Sequence, residues 1–260
     1  MKMTLAAIAT SLTLLAGCTR LEPKSIVLYN GALGNGNVPP EQQGWLVFGG
    51  KADSRNSKDG ATHLVSNKSF PAGYSNYQFQ EQSPANPSFP TLDRTLGYTI
   101  HFDVKIDDEN HQGSDKNKDG IGDRAGFSII AISNDKKGVE LAFWKNDPNP
   151  QVNNRIWVQQ DSRGSLFTHT AEGTSFNTSK KVTRYKLKVK GIIYQLFVEN
   201  SPKPILVGRL RDYTAFDSSS NDPPLPYNPY ATSNFLFLGD DTTSASASIE
   251  LRYVAVETPS

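Results

Sequence analysis

The sequence predicts an all-β chain folded as a β-sandwich of two antiparallel sheets. Three observations carry this expectation. Short stretches alternate between apolar and polar residues at a period of two, with Gly, Pro, Asn and Asp between them. The composition suits strands joined by many turns, with 13 Phe, 10 Tyr, 20 Gly and 16 Pro among 260 residues. No amphipathic helix of ordinary length, internal repeat or sustained heptad interrupts the pattern.

The N-terminus comes first. MKMTLAAIATSLTLLAGC has one base, Lys2, then an apolar run ending in small residues, which is the pattern of a secretory signal. Leu5 to Gly17 is shorter than the roughly 20 residues that span a bilayer. Its end, LAGC at 15–18, resembles the bacterial lipobox. That resemblance implies a signal peptide at 1–17, cleavage before Cys18, a diacylglycerol thioether on the Cys18 sulfur and acylation of the new amine, for instance by palmitate. Two or three acyl chains anchor a protein stably where one does not. The alternative is an ordinary secretory signal with a chance cysteine. Cys18 is the single cysteine, so no internal disulfide forms. Thr19 rather than Asp follows it, so the expected location is the cell envelope, at an outer membrane where the cell has one. No transmembrane helix is expected in the mature chain. Residues 18–25 read as a lipidated tether and 26–260 as the sandwich.

The strands follow in order. SIVLYNGAL and GWLVFGG (44–50) open the series. LGYTIHFDVKID (96–107) puts Tyr98, Ile100, Phe102, Val104 and Ile106 on one face and Thr99, His101, Asp103 and Lys105 on the other, as a half-buried strand does. AGFSIIAISN (125–134) is denser, as a central strand of a sandwich should be. GVELAFW (138–144) and RIWVQQD (155–161) come next. RYKLKVKG (184–191) and IYQLFVEN (193–200) read as a hairpin turning near Gly191, with Lys186, Lys188 and Lys190 on a solvated face. SIELRYVAVE (248–257) closes the chain.

Four strings, RAGFSIIAISNDKKGVELAFW, LFTHTAEG, LRDYTAF and NFLFLGDDTTSASASIEL, resemble bacterial surface domains of the choice-of-anchor type, which are similar to the concanavalin A-like lectin/glucanase superfamily. The resemblance covers most of residues 26–256. It implies a jelly-roll sandwich held at the cell surface by different means in different members, here by the lipid on Cys18. It brings no established activity.

Charge narrows the partners. The chain has 27 Lys+Arg and 26 Asp+Glu, and removing residues 1–17, with Lys2 and no acid, leaves the two equal. Such a balance gives no general attraction to nucleic acid or anionic lipid, and leaves room for a solvated patch of either sign.

One loop suggests a metal. In SDKNKDGIGDRAGF (114–127), Asp115, Asn117 and Asp119 match the first three ligand positions of a calcium loop, Gly120 its turn glycine, the Ile121 carbonyl its next ligand and Asp123 its ninth position. The twelfth position, normally Glu, is Gly126. The alternative is a polar turn that binds nothing.

Catalytic signatures are sparse. The E-x-D-x-x-E spacing of glucanases of this fold class is absent, and so are G-x-S-x-G, H-E-x-x-H and C-x-x-C. Glu140 is the one candidate for a catalytic carboxylate. Glu250 shares a face with Arg252 and no second acid. Arg124, His101, Gln159 and Tyr253 are residue types that lyases of similar fold use. His63, His101, His111 and His169 are scattered and expected to be surface or packing residues.

Binding chemistry is richer. A sugar site pairs an aromatic plate with polar groups that grip hydroxyls. By strand parity Glu140 projects with Trp144, Arg155 with Trp157 and Gln159, and Arg124 with Ser128, with Asp161 just beyond. These residues form one carbohydrate-binding face if their strands line the concave sheet; otherwise the tryptophans are core. The loop 211–235, with Tyr213, Tyr227 and Tyr230, rims that face or wraps a sheet edge. Asp240 and Asp241 are a second candidate for a cation or for turn capping. The expected function is a non-catalytic, lectin-like domain for envelope or extracellular polysaccharide, assisted by calcium. The alternatives are a hydrolase or lyase on the same sheet, or a structural surface protein.

Overall fold

The computed structural model describes residues 23–49, 55–80, 82–145, 154–220, 225 and 227–259. Residues 1–17, expected to be a signal peptide, and Cys18 lie outside the described residues.

In chain order the strands are β1 (Lys24–Asn30), β2 (Leu46–Gly49), β3 (Arg55–Lys58), β4 (Ala61–Val65), β5 (Ala72–Ser75), β6 (Tyr77–Gln78), β7 (Ser83–Pro84), β8 (Tyr98–Asn110), β9 (Ser128–Ile132), β10 (Gly138–Trp144), β11 (Arg155–Gln159), β12 (His169–Ser175), β13 (Thr183–Lys190), β14 (Ile193–Val198), β15 (Leu206–Arg209), β16 (Phe235–Asp240) and β17 (Ser246–Thr258). β1 begins at Lys24, two residues before the boundary expected from the sequence. β3, β4, β5, β12, β15 and β16 are strands that alternation did not mark. Segments such as AGYS and LVGR are short and broken by glycine, so they carry little periodicity.

Two antiparallel sheets form the sandwich. The first runs β15-β14-β13-β8-β17-β4-β3, with β1 also paired to β17; the second runs β12-β11-β10-β9-β16-β5-β2. Nearest neighbours in sequence are often not neighbours in the sheet, which is the interleaving of a jelly roll. The long β17 makes this work. Its first half pairs with β4 and its second half with β1, and register shifts let it bend between them. The protein is thus a concanavalin A-like jelly-roll sandwich.

The core lies between the sheets. The inward residues of β8 meet Ile129, Ala131, Val139, Leu141 and Phe143 of the second sheet. Phe102 stacks on Tyr185 at 5.0 Å and meets Phe143 edge-on at 6.0 Å, joining the layers. Each large apolar side chain buried here contributes about 1.5–3 kcal/mol. The first sheet keeps the expected alternation, and Lys186, Lys188 and Lys190 face away from the core. The second sheet does not alternate. Every residue of β9, β10 and β16 is buried, because loops cover its outer side. Ile130, Ile132, Phe235 and Phe237 on that side pack against Phe167, Tyr213 and Tyr230 from the loops.

Candidate functional site: the roofed face of the second sheet

Glu140 and Trp144 of β10 and Arg155, Trp157 and Gln159 of β11 alternate with core residues and take the outer face, whereas Arg124 lies before β9 rather than on the strand expected for it. The surroundings differ from the expectation of an open face. Trp144, Glu140 and Gln159 have no exposure at all, and Arg124 retains 7%. Among the predicted binding residues, only Arg155 and Trp157 are half-buried.

Two tyrosines of the 211–235 loop fasten the roof. The Tyr213 hydroxyl donates to the Gln159 carbonyl at 2.8 Å and accepts the Glu140 N–H at 3.2 Å. The Tyr230 hydroxyl donates to Glu140 Oε2 at 2.6 Å and lies 3.2 Å from Asp241 Oδ2. Beneath it, Arg124 Nη2 is 2.6 Å from Asp241 and 3.1 Å from Glu140. The Phe167 ring lies 4.4 Å from the Arg124 guanidinium. Glu140 therefore does not stand alone, as the sequence suggested. Its partner, Asp241, is a residue the sequence offered only for a cation or a turn.

The electrostatics follow from burial. Desolvation pushes Glu140 up, to about 7; Arg124 opposes that rise and Asp241 adds to it. Desolvation works against the charge on Arg124, but Asp241 and Glu140 hold the guanidinium charged. Burial pushes the Tyr230 hydroxyl well above its ordinary value. A charged group with carboxylate partners on both sides in a dry site is costly to disrupt from either side.

Trp144 is a core residue, which corrects its expected role as a sugar plate. His111 stacks flat on it at 4.3 Å and 6°, and Trp157 lies 5.6 Å away. His111 is itself fully buried and sits 2.8 Å from Glu109. Trp157 is different. Its ring packs onto Gly173 of β12, where a Cβ would fall 2.5 Å from Cε3, and the Arg155 guanidinium lies 5.4 Å from the ring.

The acidic loop is held by hydrogen bonds within the protein. Both Asp115 oxygens accept backbone N–H groups, from Asp119 at 3.1 Å and Gly120 at 2.8 Å. Asp119 accepts from Ile121 N–H at 2.9 Å and Asn117 Nδ2 at 3.1 Å. Asp123 is fully buried and accepts the Lys116 N–H at 2.5 Å. His169 joins the two ends, with Nε2 2.9 Å from Asp119 and Nδ1 3.1 Å from Asp123. Only a protonated imidazole donates from both nitrogens. Burial works against that charge, but Asp123 and Asp119 raise the His169 pKa. Burial likewise opposes ionisation of Asp123, yet the His169 and Lys116 hydrogen bonds hold it below the usual carboxylate range. Asp115, Asp119 and Asp123 thus each find protein donors, and among the described residues no group of three His, Cys, Asp or Glu that could hold a metal is found. Gly126 stands at the twelfth position because β17 passes there: a Cβ would meet the Ser246 backbone at 2.0 Å.

The remaining candidates scatter. His101 and Tyr253 lie on the first sheet, away from Arg124 and Gln159, so the lyase-type set is split between layers. Glu250 bonds Arg252 on the first sheet at 2.6 Å, and Asp161 accepts the Asp212 N–H at 2.9 Å.

Solved structures share this architecture. A carbohydrate esterase of the Shiga toxin-encoding bacteriophage phi24B superposes with a TM-score of 0.51 at 11% identity, over 91% of this chain and 100% of that one. A protein of galectin-like fold from Bacillus subtilis gives 0.49 at 12% identity, over 92% and 100%. The Ca2+/Man3GlcNAc-bound exoplasmic/lumenal domain of VIP36 gives 0.48 at 13%, over 85% and 89%. At such identities likeness speaks for the fold alone. No family model matches the chain, and no curated protein matches its sequence.

Proposed function

We propose that this chain is a lipid-anchored, lectin-like surface domain of the choice-of-anchor type that holds envelope or extracellular polysaccharide at the open edge of the second sheet. The observation that carries this reading is the pair Trp157 and Arg155. They are the predicted binding residues that reach solvent, they lie side by side, and Gly173 lets the indole lie close on β12. An indole covers the apolar face of a sugar ring, and a guanidinium beside it grips hydroxyls or a carboxylate. Glu140, Arg124, Gln159 and Trp144 then form the rigid floor that fixes β10 and β11. In this reading His169, not calcium, braces the acidic loop.

A glycan array of the wild type beside Trp157→Ala tests the reading. Binding by the wild type, lost in the folded variant and unchanged by millimolar calcium, supports it; equal binding by both proteins ends it. Radioactive fatty acid tests the anchor, with label expected on wild type and none on Cys18→Ala.

A second reading, a glycan-cleaving enzyme, is favoured by one observation: a carboxyl raised to about 7 has a second carboxylate and a tyrosine hydroxyl within reach. Release of reducing or unsaturated ends that disappears in Glu140→Gln supports it. No release from a polysaccharide that the protein binds refutes it.

A further inference from the structure

We infer that one end of the sandwich is a docking surface for an anionic lipid bilayer. The inference rests on the proposed anchor at Cys18 and adds to it which face of the domain meets the membrane.

The register identifies the end. Lys24 of β1 pairs with Thr258, Glu257 with Thr99, Val189 with Tyr98, Lys190 with Ile193, and Ile193 with Arg209. The start of β1 and the β13–β14 turn therefore lie at the same end of the first sheet. Five residues lie between Cys18 and Lys24, and the six Cα steps reach at most about 20 Å when fully extended. β8 alone, with 13 residues, is about 40 Å long. The far end, at Asp108 and Ser246, is out of reach of the bilayer while this end is held against it.

The chemistry of the near end fits a headgroup layer. Leu96, Ile192 and Ile193 are large apolar residues at 61%, 47% and 38% exposure. They form one ridge: Lys190 Nζ donates to the Leu96 carbonyl at 2.7 Å, and Gly191, beside Ile192, exchanges hydrogen bonds with Arg94. Bases surround the ridge. Arg94 and Lys137 are paired with Asp135 and Asp212. Asp93 is satisfied locally by Thr95, and Glu257 faces His101 at 3.3 Å. That leaves Lys24, Lys136, Lys190 and Arg209 exposed, with no acidic partner among the described residues. Arg209 also lines a pocket of about 260 Å³ beside Ile192. Apolar tips that enter the interface, ringed by bases that meet lipid phosphates, are the features of a peripheral membrane face.

The test uses the full lipidated chain, purified from membranes and placed in phosphatidylglycerol vesicles. The Cys18 sulfur is consumed by its thioether, so an introduced cysteine is the one free thiol. A polarity-sensitive fluorophore is attached at Leu96→Cys, at Ile192→Cys and, at the far end, at Asp108→Cys. Blue-shifted emission and quenching by spin-labelled lipid at the first two positions, with neither at the third, are expected. Lys190→Glu combined with Arg209→Glu should weaken that quenching by about tenfold, and less so in phosphatidylcholine. Equal signals at both ends, or none at Leu96 and Ile192, overturn the docking surface while leaving the anchor standing. If fatty-acid label is also absent from Cys18 in the same preparation, the anchor fails and the docking surface fails with it.

Discussion

The outer faces of the two sheets were built from similar strands and met opposite fates. On the first sheet, β13 alternates cleanly and its lysines point away from the core, Lys188 exposed opposite Gln195 and Lys186 over the Phe197 ring. On the second, β10 carries Glu140 and Trp144 at equivalent outward positions, and both are sealed, Glu140 under Tyr213 and Tyr230 and Trp144 among His111, Trp157 and His169. The difference lies in what passes overhead. A lysine side chain outside the first sheet needs no partner but water. A glutamate under the roof needs Arg124, Tyr230 and the backbone arranged around it, and each of those then depends on it. A polar face on one layer is a surface; the same kind of face on the other is a second core.

Four experiments sharpen or break this contrast. Arg124→Ala strands Glu140 and Asp241 in a dry site and should cost about 3–5 kcal/mol of stability in urea unfolding; a loss below 1 kcal/mol would show the roof to be loose. Tyr213→Phe deprives the Gln159 carbonyl and the Glu140 N–H of their partner, for a loss of about 1–3 kcal/mol. The third experiment is a pH series. Burial pushes Asp240 of β16 up to about 8 from its usual 3.8. Its folded value exceeds the unfolded one, so its stabilising share is full below the usual value and is lost as pH rises toward 8. Asp240→Asn should remove a slope of up to about 1.4 kcal/mol per pH unit in that window; parallel profiles for variant and wild type would refute the assignment. Lys188→Ala on the open sheet should move stability by no more than about 0.5 kcal/mol, and a larger loss would mean that the first sheet too is covered.

Much of the architecture was legible in the residues. Alternation marked β8 and β13, the hairpin at Gly191 closes where it was expected, and the dense AGFSIIAISN is a central strand. Density itself was the warning about the site. β9 and β10 are buried on both faces, and a strand written in nearly continuous apolar residues has two dry sides. Tyr213 and Tyr230 of the 211–235 loop supplied part of the cover, and both are buried in it rather than set at an open rim. Two partnerships had no sequence signal. Asp241 meets Arg124 across 117 positions, and His169 meets Asp123 across 46. The same holds for the acidic loop. Its spacing matches calcium ligands, and spacing says nothing of a histidine arriving from another strand.

From the order of its residues the chain determined the layers, the parity of each strand and which side chains share a face, because backbone geometry repeats every two residues wherever a strand forms. The tertiary structure alone decided which face stays wet, since that depends on loops distant in sequence settling over β10 and on whether each buried charge finds its opposite there.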